Sequence, residues 1–290
     1  MLANMFGDYL VANGKLTNQE LADVKASLGK NRVKLGLIAV SEGLLDQKKA
    51  EEIRRKQAVM DKRFGDIAIE LGYLNSQQVS HLLDMQGNAY MQFCQAVTDG
   101  QYMTIEELDQ AFDLMSNEYN IEASDLDDVK ADDIDIIINN LMRGMEESSL
   151  DLLSIFVRTL NRLISTDILV KSYETIASYK RNGLSYQCLE GDYNSIITLG
   201  GSDDGLILIA SVFGCEAFEK VDMDSLDSIG EFLNIVNGLY ATSLSYRNIN
   251  VELMAPSLNE GETSLPFENL YKVPVVIDGK EIEIVLKVQK

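Results

Sequence analysis

The first third of the chain repeats itself with a period of 29 residues, and no other feature limits its fold as much. "MFGDYLVANGKLTNQELADVKASL" (5–28), "KLGLIAVSEGLLDQKKAEEIRRKQ" (34–57) and "RFGDIAIELGYLNSQQVSHLLDMQ" (63–86) are each 24 residues long, with five residues between consecutive copies. A fourth copy, "QFCQAVTDGQYMTIEELDQAFDLM" (92–115), keeps the period, but Cys94 stands where the others have Gly and its second Gly slips by one. Each copy reads as a short helix, a turn at Gly14, Gly43 or Gly72, and a second helix with apolar positions such as Leu21, Val24 and Leu28. Glycine after a helix adopts the left-handed conformation that ends it at little cost. Thr17 with Glu20 and Thr104 with Glu107 have the spacing of capping boxes. Units this small cannot bury an apolar face alone and must stack, so residues 1–118 are expected to form an all-helical repeat domain.

This pattern resembles the N-terminal domain of type II secretion and pilus ATPases, the GspE N-terminal or MshEN family. The resemblance rests on Leu35, Gly36, Gly43 and Gln57, and again on Phe64, Gly65, Gly72 and Gln86. Some members of that family bind cyclic di-GMP through tandem 24-residue motifs with the same five-residue spacer, so the resemblance implies a cyclic di-GMP site or, failing that, a protein partner. The chain departs from the family pattern in several places. Only Arg63 supplies the leading arginine, Lys34 and Met5 stand at the corresponding positions, Ala50 and Arg54 replace leucines, and the first copy ends in Leu28. Lysine cannot reproduce the planar, two-point contact of arginine with phosphate or guanine. Arg54, Arg55, Lys56, Lys62 and Arg63 form one basic cluster, which also suits a solvated helix end.

The formal charge of -21 argues against nucleic acid and against insertion into an anionic membrane. No apolar run reaches bilayer length, and the N-terminus lacks the basic and apolar regions of a signal peptide, so a cytoplasmic location is expected. Cys94, Cys188 and Cys215 are far apart and odd in number, which suits free buried thiols. The single histidine, His81, lies in a helical pattern without a nucleophile elbow or metal spacing, so a packing or surface role is expected. Residues 116–150 hold 2 Lys/Arg against 10 Asp/Glu. The stretch 119–149 therefore reads as an acidic connector, its first half too poor in apolar residues to fold alone.

From 150 to 290 the pattern changes. "LLSIFVRTLNRLI" (152–164) has helical spacing, whereas "DILVKSYETI", "LSYQCLEGDYNSIITLGG" and "GLILIASVFG" (205–214) read as strands, with "GGSDDG" (200–205) as a reversal. A helix follows over 224–245, and strands return at "INVELMAP" and "KVPVVIDGKEIEIVLKVQ". In the last of these, Asp278-Gly279 is a type I′ hairpin signal, and Ile282, Ile284, Leu286 and Val288 alternate onto one face. The second domain is thus expected to be α+β: an antiparallel sheet with two main helices on one face.

The helix over 224–245 contains "DSIGEFLNIVNG" (227–238). Ile229, Phe232, Leu233, Val236 and Tyr240 form its apolar stripe, and Asp227, Gly230, Glu231, Asn234, Asn237, Gly238 and Ala241 lie opposite. Glu231 and Asn234 are neighbours on that side, and Gly230 and Gly238 are expected to leave room for another backbone. The stretch resembles the signature of the CheC/CheX/FliY chemotaxis phosphatases, a Glu-x-x-Asn pair on a helix followed by Gly and small residues. "SLSYRNINVELMAPSLNEG" and the closing hairpin also fall where that family has them. The resemblance covers about residues 150–290 and implies hydrolysis of the aspartyl phosphate of a response regulator such as CheY. Carried over, Asn234 orients a water for in-line attack on phosphorus and Glu231 holds a lysine of the regulator. This chain would bind no cofactor, magnesium being expected on the regulator. Two-site members carry a second pair on the first helix. Arg158 and Asn161 stand there in this chain, so a single site is expected, as in CheX. Dimerisation through this domain is a further expectation. The alternative is a non-catalytic signalling adaptor whose repeats bind a protein or cyclic di-GMP.

Overall fold

Each of the four repeats folds as a pair of helices. The computed structural model describes residues 1–29, 32–60 and 62–290. The pairs are α1 (Leu2–Ala12) with α2 (Asn18–Ser27), α3 (Leu35–Ser41) with α4 (Gln47–Gln57), α5 (Phe64–Glu70) with α6 (Ser76–Asp84), and α7 (Ala89–Asp99) with α8 (Ile105–Glu118). Gly14, Gly43 and Gly72 take φ of +64°, +66° and +68°, the left-handed turn expected of them. In the fourth copy the slipped Gly100 is right-handed and Gln101 takes the left-handed position with φ 58°. Both capping boxes form, and Asn75 with Gln78 adds a third. The repeats also close on themselves, because α1 packs on α7 and α8. Phe6 there meets the rings of Tyr90, Phe93 and Phe112 at centroid distances of 5.7, 5.9 and 5.8 Å.

The chain divides into two compact units, Leu2–Asp133 and Ile134–Lys290. The boundary therefore falls inside the stretch 119–149 read as a connector. Its first half joins the repeats through the short helix α9 (Leu126–Lys130): Val129 is fully buried and Asn88 Nδ2 donates to the Lys130 carbonyl at 2.6 Å. A buried apolar anchor and a side-chain hydrogen bond to the backbone tie it down although the sequence is otherwise acidic. The second half forms α10 (Ile134–Leu141) in the second unit, with Ile137 and Ile138 buried and Asp135 paired with Arg158.

The second unit continues with α11 (Glu147–Leu163), β1 (Ile168–Val170), β2 (Glu174–Ile176), β3 (Lys180–Gly191), β4 (Asn194–Gly201), α12 (Asp203–Gly214), α13 (Met223–Tyr246), β5 (Val251–Leu253), β6 (Ser257–Ser264), β7 (Leu270–Ile277) and β8 (Lys280–Gln289). The eight strands form one antiparallel sheet in the order β1-β7-β8-β4-β3-β5, with β2 also on β7 and β6 also on β3. Asp278 and Gly279 make the β7–β8 turn with φ of 47° and 75°, as the hairpin signal requires. Strand alternation separates two faces. Ile282, Ile284, Leu286 and Val288 of β8 are buried on the side that carries α11 and α12. Val285, Ile196 and Leu184 point the other way, into a smaller cluster with Leu265 and Leu270.

One expected strand is a helix. "GLILIASVFG" lies in α12, so the unit has three substantial helices beside α10 rather than two. Leu206, Ile209 and Ala210 are buried at helical spacing, and a short apolar run does not reveal its period. "GGSDDG" is accordingly the end of β4 joined to a helix start. Ser202 accepts from the Gly205 amide, and Asp203 and Asp204 sit in the first turn, where the helix dipole favours acids. Gly205 lets that turn approach the sheet closely, since a Cβ there would lie 2.4 Å from the Glu281 carbonyl oxygen. β6 was not expected from its polar sequence.

Candidate functional site

α13 positions both residues singled out in the sequence. Asp222 starts it with a capping box: its carboxylate accepts from the Ser225 amide at 3.2 Å and the Ser225 hydroxyl accepts from the Asp222 amide at 2.9 Å. That amide hydrogen bond holds the Asp222 carboxyl below its ordinary range. Leu226, Ile229, Phe232, Leu233, Val236, Tyr240 and Leu244 are buried. Phe232 meets Phe156 of α11 and Phe213 of α12 at 5.5 and 5.6 Å. Tyr240 donates to the Ser148 carbonyl at 3.0 Å, and its burial, with the charge of Asp151 nearby, raises its pKa. These contacts fix the rotation of the helix about its axis.

The side opposite that stripe is only partly open. Glu231 is exposed, and among the described residues its carboxylate has no hydrogen bond or ion pair. Asn234 is half-buried beside it. Gly230 and Asn237, expected to face outward, are buried against the sheet. The space left by the missing side chain of Gly230 is taken by the chain itself: a Cβ would meet Ser185 Oγ at 3.1 Å and Leu258 and Pro256 at 3.2 Å. Gly238 differs, with nothing within 4 Å of a Cβ there, so the expected room for a second backbone exists at this glycine alone.

Asn237 takes part in a buried polar network that sequence reasoning missed. Gln187, on β3 and 1% exposed, donates from Nε2 to Asn234 Oδ1 and to the Met254 carbonyl, both at 2.8 Å. Its Oε1 accepts from Asn237 Nδ2 at 2.9 Å. Asn237 Oδ1 is buried without a partner, which costs roughly 1–3 kcal/mol of desolvation. The signal was a glutamine between Ser185 and Leu189 at inward-facing positions of a strand, where a polar side chain must find partners.

Beyond Glu231 the exposed strip of α13 turns apolar. Ile235, Leu239 and Tyr246 are 38%, 39% and 86% exposed. Leu239, Thr242 and Tyr246 border a cavity of about 500 Å³ whose other wall includes Arg158 and Asn161 of α11. Arg158 is exposed and paired with Asp135, so the first helix shows a cation and an amide where a second acid–amide pair would stand.

In the repeat unit, Lys34, Leu35, Gly36, Arg54, Gln57 and Phe64 border a mainly apolar cavity of about 700 Å³, closed on its far side by residues 98–107. Lys34 is paired with Asp99 at 2.6 Å, and Arg63 is not among the residues of this cavity. His81 lies at the surface, 3.8 Å from Glu42. The three cysteines are free, but only Cys94 is fully buried, and burial pushes its thiol up to about 12. No helix among the described residues is long and apolar enough to cross a membrane.

Comparison with known proteins agrees with the reading of the second unit. Residues 186–290 match the model of the family described as chemotaxis phosphatase CheX, and Glu231, Asn234 and Gln187 lie inside that match. The chain therefore carries a CheX-like domain. No curated protein matches the chain. Among solved structures, chemotaxis protein CheX from Desulfovibrio desulfuricans is similar over 50% of this chain and 100% of its own, at 13% identity and a TM-score of 0.41. The protein in the CheX–CheY–BeF3–Mg2+ complex from Borrelia burgdorferi is similar over 48% of this chain and 96% of that one, at 19% identity and a TM-score of 0.37. Thermotoga maritima FliY is similar over 50% and 91%, at 16% identity and a TM-score of 0.32.

Proposed function

We propose that the C-terminal unit hydrolyses the aspartyl phosphate of a phosphorylated response regulator, with Glu231 and Asn234 as its site and the repeat unit as a docking or regulatory domain. The observation that carries this reading is the pairing, within the matched region, of an exposed carboxylate without a partner and an amide one helical turn away. An acyl phosphate is already activated, so the protein has mainly to position the reactants. Asn234 enters the regulator's site and holds a water in line with the phosphorus–carboxylate bond. Glu231 pairs with a lysine of the regulator, which brings its own magnesium. Ile235, Leu239 and Tyr246 supply apolar contact along the same strip.

The test is phosphate release from a phosphorylated chemotaxis response regulator with magnesium, comparing buffer, wild type and Asn234→Ala. Wild type accelerates the loss, and the variant drops on the order of a hundredfold toward the buffer rate. Equal decay in all three overturns the proposal.

The repeat unit supports a second, separate reading through its cavity of about 700 Å³, which is bordered by Leu35, Gly36, Gln57 and Phe64 from among the residues that carried the resemblance to the MshEN family. A ligand there would sit on apolar walls with Arg54 and Gln57 at its polar edge, cyclic di-GMP being the first to titrate. Lys34 is already neutralised by Asp99, so this cavity offers a phosphate less positive charge than an arginine pair would. Calorimetry with cyclic di-GMP that gives no heat at high micromolar concentration removes that ligand.

A further inference from the structure

We infer that Gln187 is a positioning residue that locks the carboxamide of Asn234 with its N–H donors facing outward, and that Asn237 holds Gln187 in the orientation this requires. The inference rests on the proposed function for its catalytic consequence, but not for its geometry.

The order of donors is set by a backbone group. A carbonyl oxygen can only accept, so the Gln187 atom 2.8 Å from the Met254 carbonyl must be the amide nitrogen. The same nitrogen lies 2.8 Å from Asn234, and the atom it meets must therefore be Oδ1. Gln187 Oε1 then faces Asn237 at 2.9 Å, which must present Nδ2. Turning Gln187 over would set acceptor against acceptor at Met254, turning Asn234 over would set donor against donor at Gln187 Nε2, and turning Asn237 over would set acceptor against acceptor at Gln187 Oε1. Gln187 and Asn237 are 1% and 0% exposed, so water cannot readily relieve such a clash. With its oxygen tied inward, Asn234 is left with an Nδ2 group that has no partner among the described residues, on a half-buried side chain beside exposed Glu231.

The consequence is chemical. A water oxygen has two lone pairs. One accepts from Asn234 Nδ2, and the other is left to form the new oxygen–phosphorus bond. The bond from phosphorus to the regulator's aspartate breaks as the carboxylate leaves with the electron pair, and the water's proton passes to the released phosphate. If the amide turned over freely, the same position would present an acceptor for part of the time and the water would be held by a proton instead.

Two measurements on the full chain test this. In the wild type, side-chain amide NMR should show the Gln187 Nε2 and Asn237 Nδ2 protons exchanging with solvent at least about tenfold more slowly than those of Asn234 Nδ2. Equal protection of Asn234 and Gln187 overturns the inference. Gln187→Met keeps the length of the side chain and removes both hydrogen-bonding atoms. It should lower kcat on the order of tenfold to a hundredfold with KM unchanged, and should have no further effect in an Asn234→Ala background. Unchanged kcat overturns the inference, and so does an equal loss in both backgrounds, which would mark a purely structural residue. A wild type without phosphatase activity refutes the proposed function, and the exchange experiment still decides the orientation of the amides. It also decides the case if Gln187→Met fails to fold, because it needs no variant.

Discussion

Two glycines on the site helix should respond in opposite directions to the same substitution. Gly230 and Gly238 both lie inside α13 with right-handed geometry, so alanine at either gains about 1 kcal/mol of helix propensity. At Gly238 nothing lies within 4 Å of the new methyl, and the gain stands: Gly238→Ala should stabilise this unit by up to about 1 kcal/mol, or roughly 2–4 °C in melting temperature. At Gly230 the methyl meets three neighbours at 3.1–3.2 Å, from β3, from β6 and from Pro256 just before β6. No single side chain can relieve all three contacts. Inserting a methylene into a packed site costs about 1–3 kcal/mol, which leaves Gly230→Ala between neutral and about 2 kcal/mol destabilised. Urea unfolding of the full chain, followed by far- and near-UV signals to separate the two units, measures both. The open side of Gly238 faces the surface proposed to receive the regulator, so Gly238→Ala should also weaken phosphatase kcat/KM while raising stability. Equal stability shifts for the two alanines would refute the packing argument. A stabilised Gly238→Ala with full activity would refute the docking argument.

Asp222→Ala removes the capping box of α13 and should cost about 1 kcal/mol in the same unfolding assay, with activity falling only as far as the folded fraction does. Ile235→Asp should raise KM for the phosphorylated regulator about tenfold without loss of stability, because Ile235 is already 38% exposed; binding titrations read the shift directly. In the repeat unit, burial pushes Asp109 up to about 6 from 3.8, against the opposing charge of Lys130 and the hydrogen bond from Ser41. Its folded value is the higher one, so ionising it disfavours the fold and its cost accumulates as pH rises from 3.8 to about 6. Asp109→Asn should therefore raise the melting temperature of that unit at pH 8, with the difference vanishing near pH 3.5.

Much of this fold was legible because its signals are local. The repeats announced their turns through Gly14, Gly43 and Gly72, and the closing hairpin through Asp278-Gly279 and the alternation after it. Where local signals conflicted or fell silent, the reading failed. The apolar run of α12 looked like a strand although Ser202, Asp203 and Asp204 before it were a legible helix start. β6 has no alternating pattern and owes its conformation to the ladder with β3, a long-range partner that a local pattern does not carry. Glu231 and Asn234 were correctly placed on one side of α13. The rest of that side was misjudged, because a helical wheel with one apolar stripe suggests a free opposite face, whereas α13 is packed on two sides. Gln187 could have been found by asking which inward positions of β3 were polar.

The last strand in sequence is a middle strand in space. β8 lies between β7 and β4, and those two ladders join the halves of the sheet. During synthesis the helical repeat unit, complete by residue 133, can assemble while the sheet still waits for its centre. The surface bearing Glu231 and Asn234 should thus become competent only after residues 280–289 have left the ribosome. Until then β4 and β7 expose unpaired edges, which makes the nascent second unit the part of this chain most in need of a chaperone.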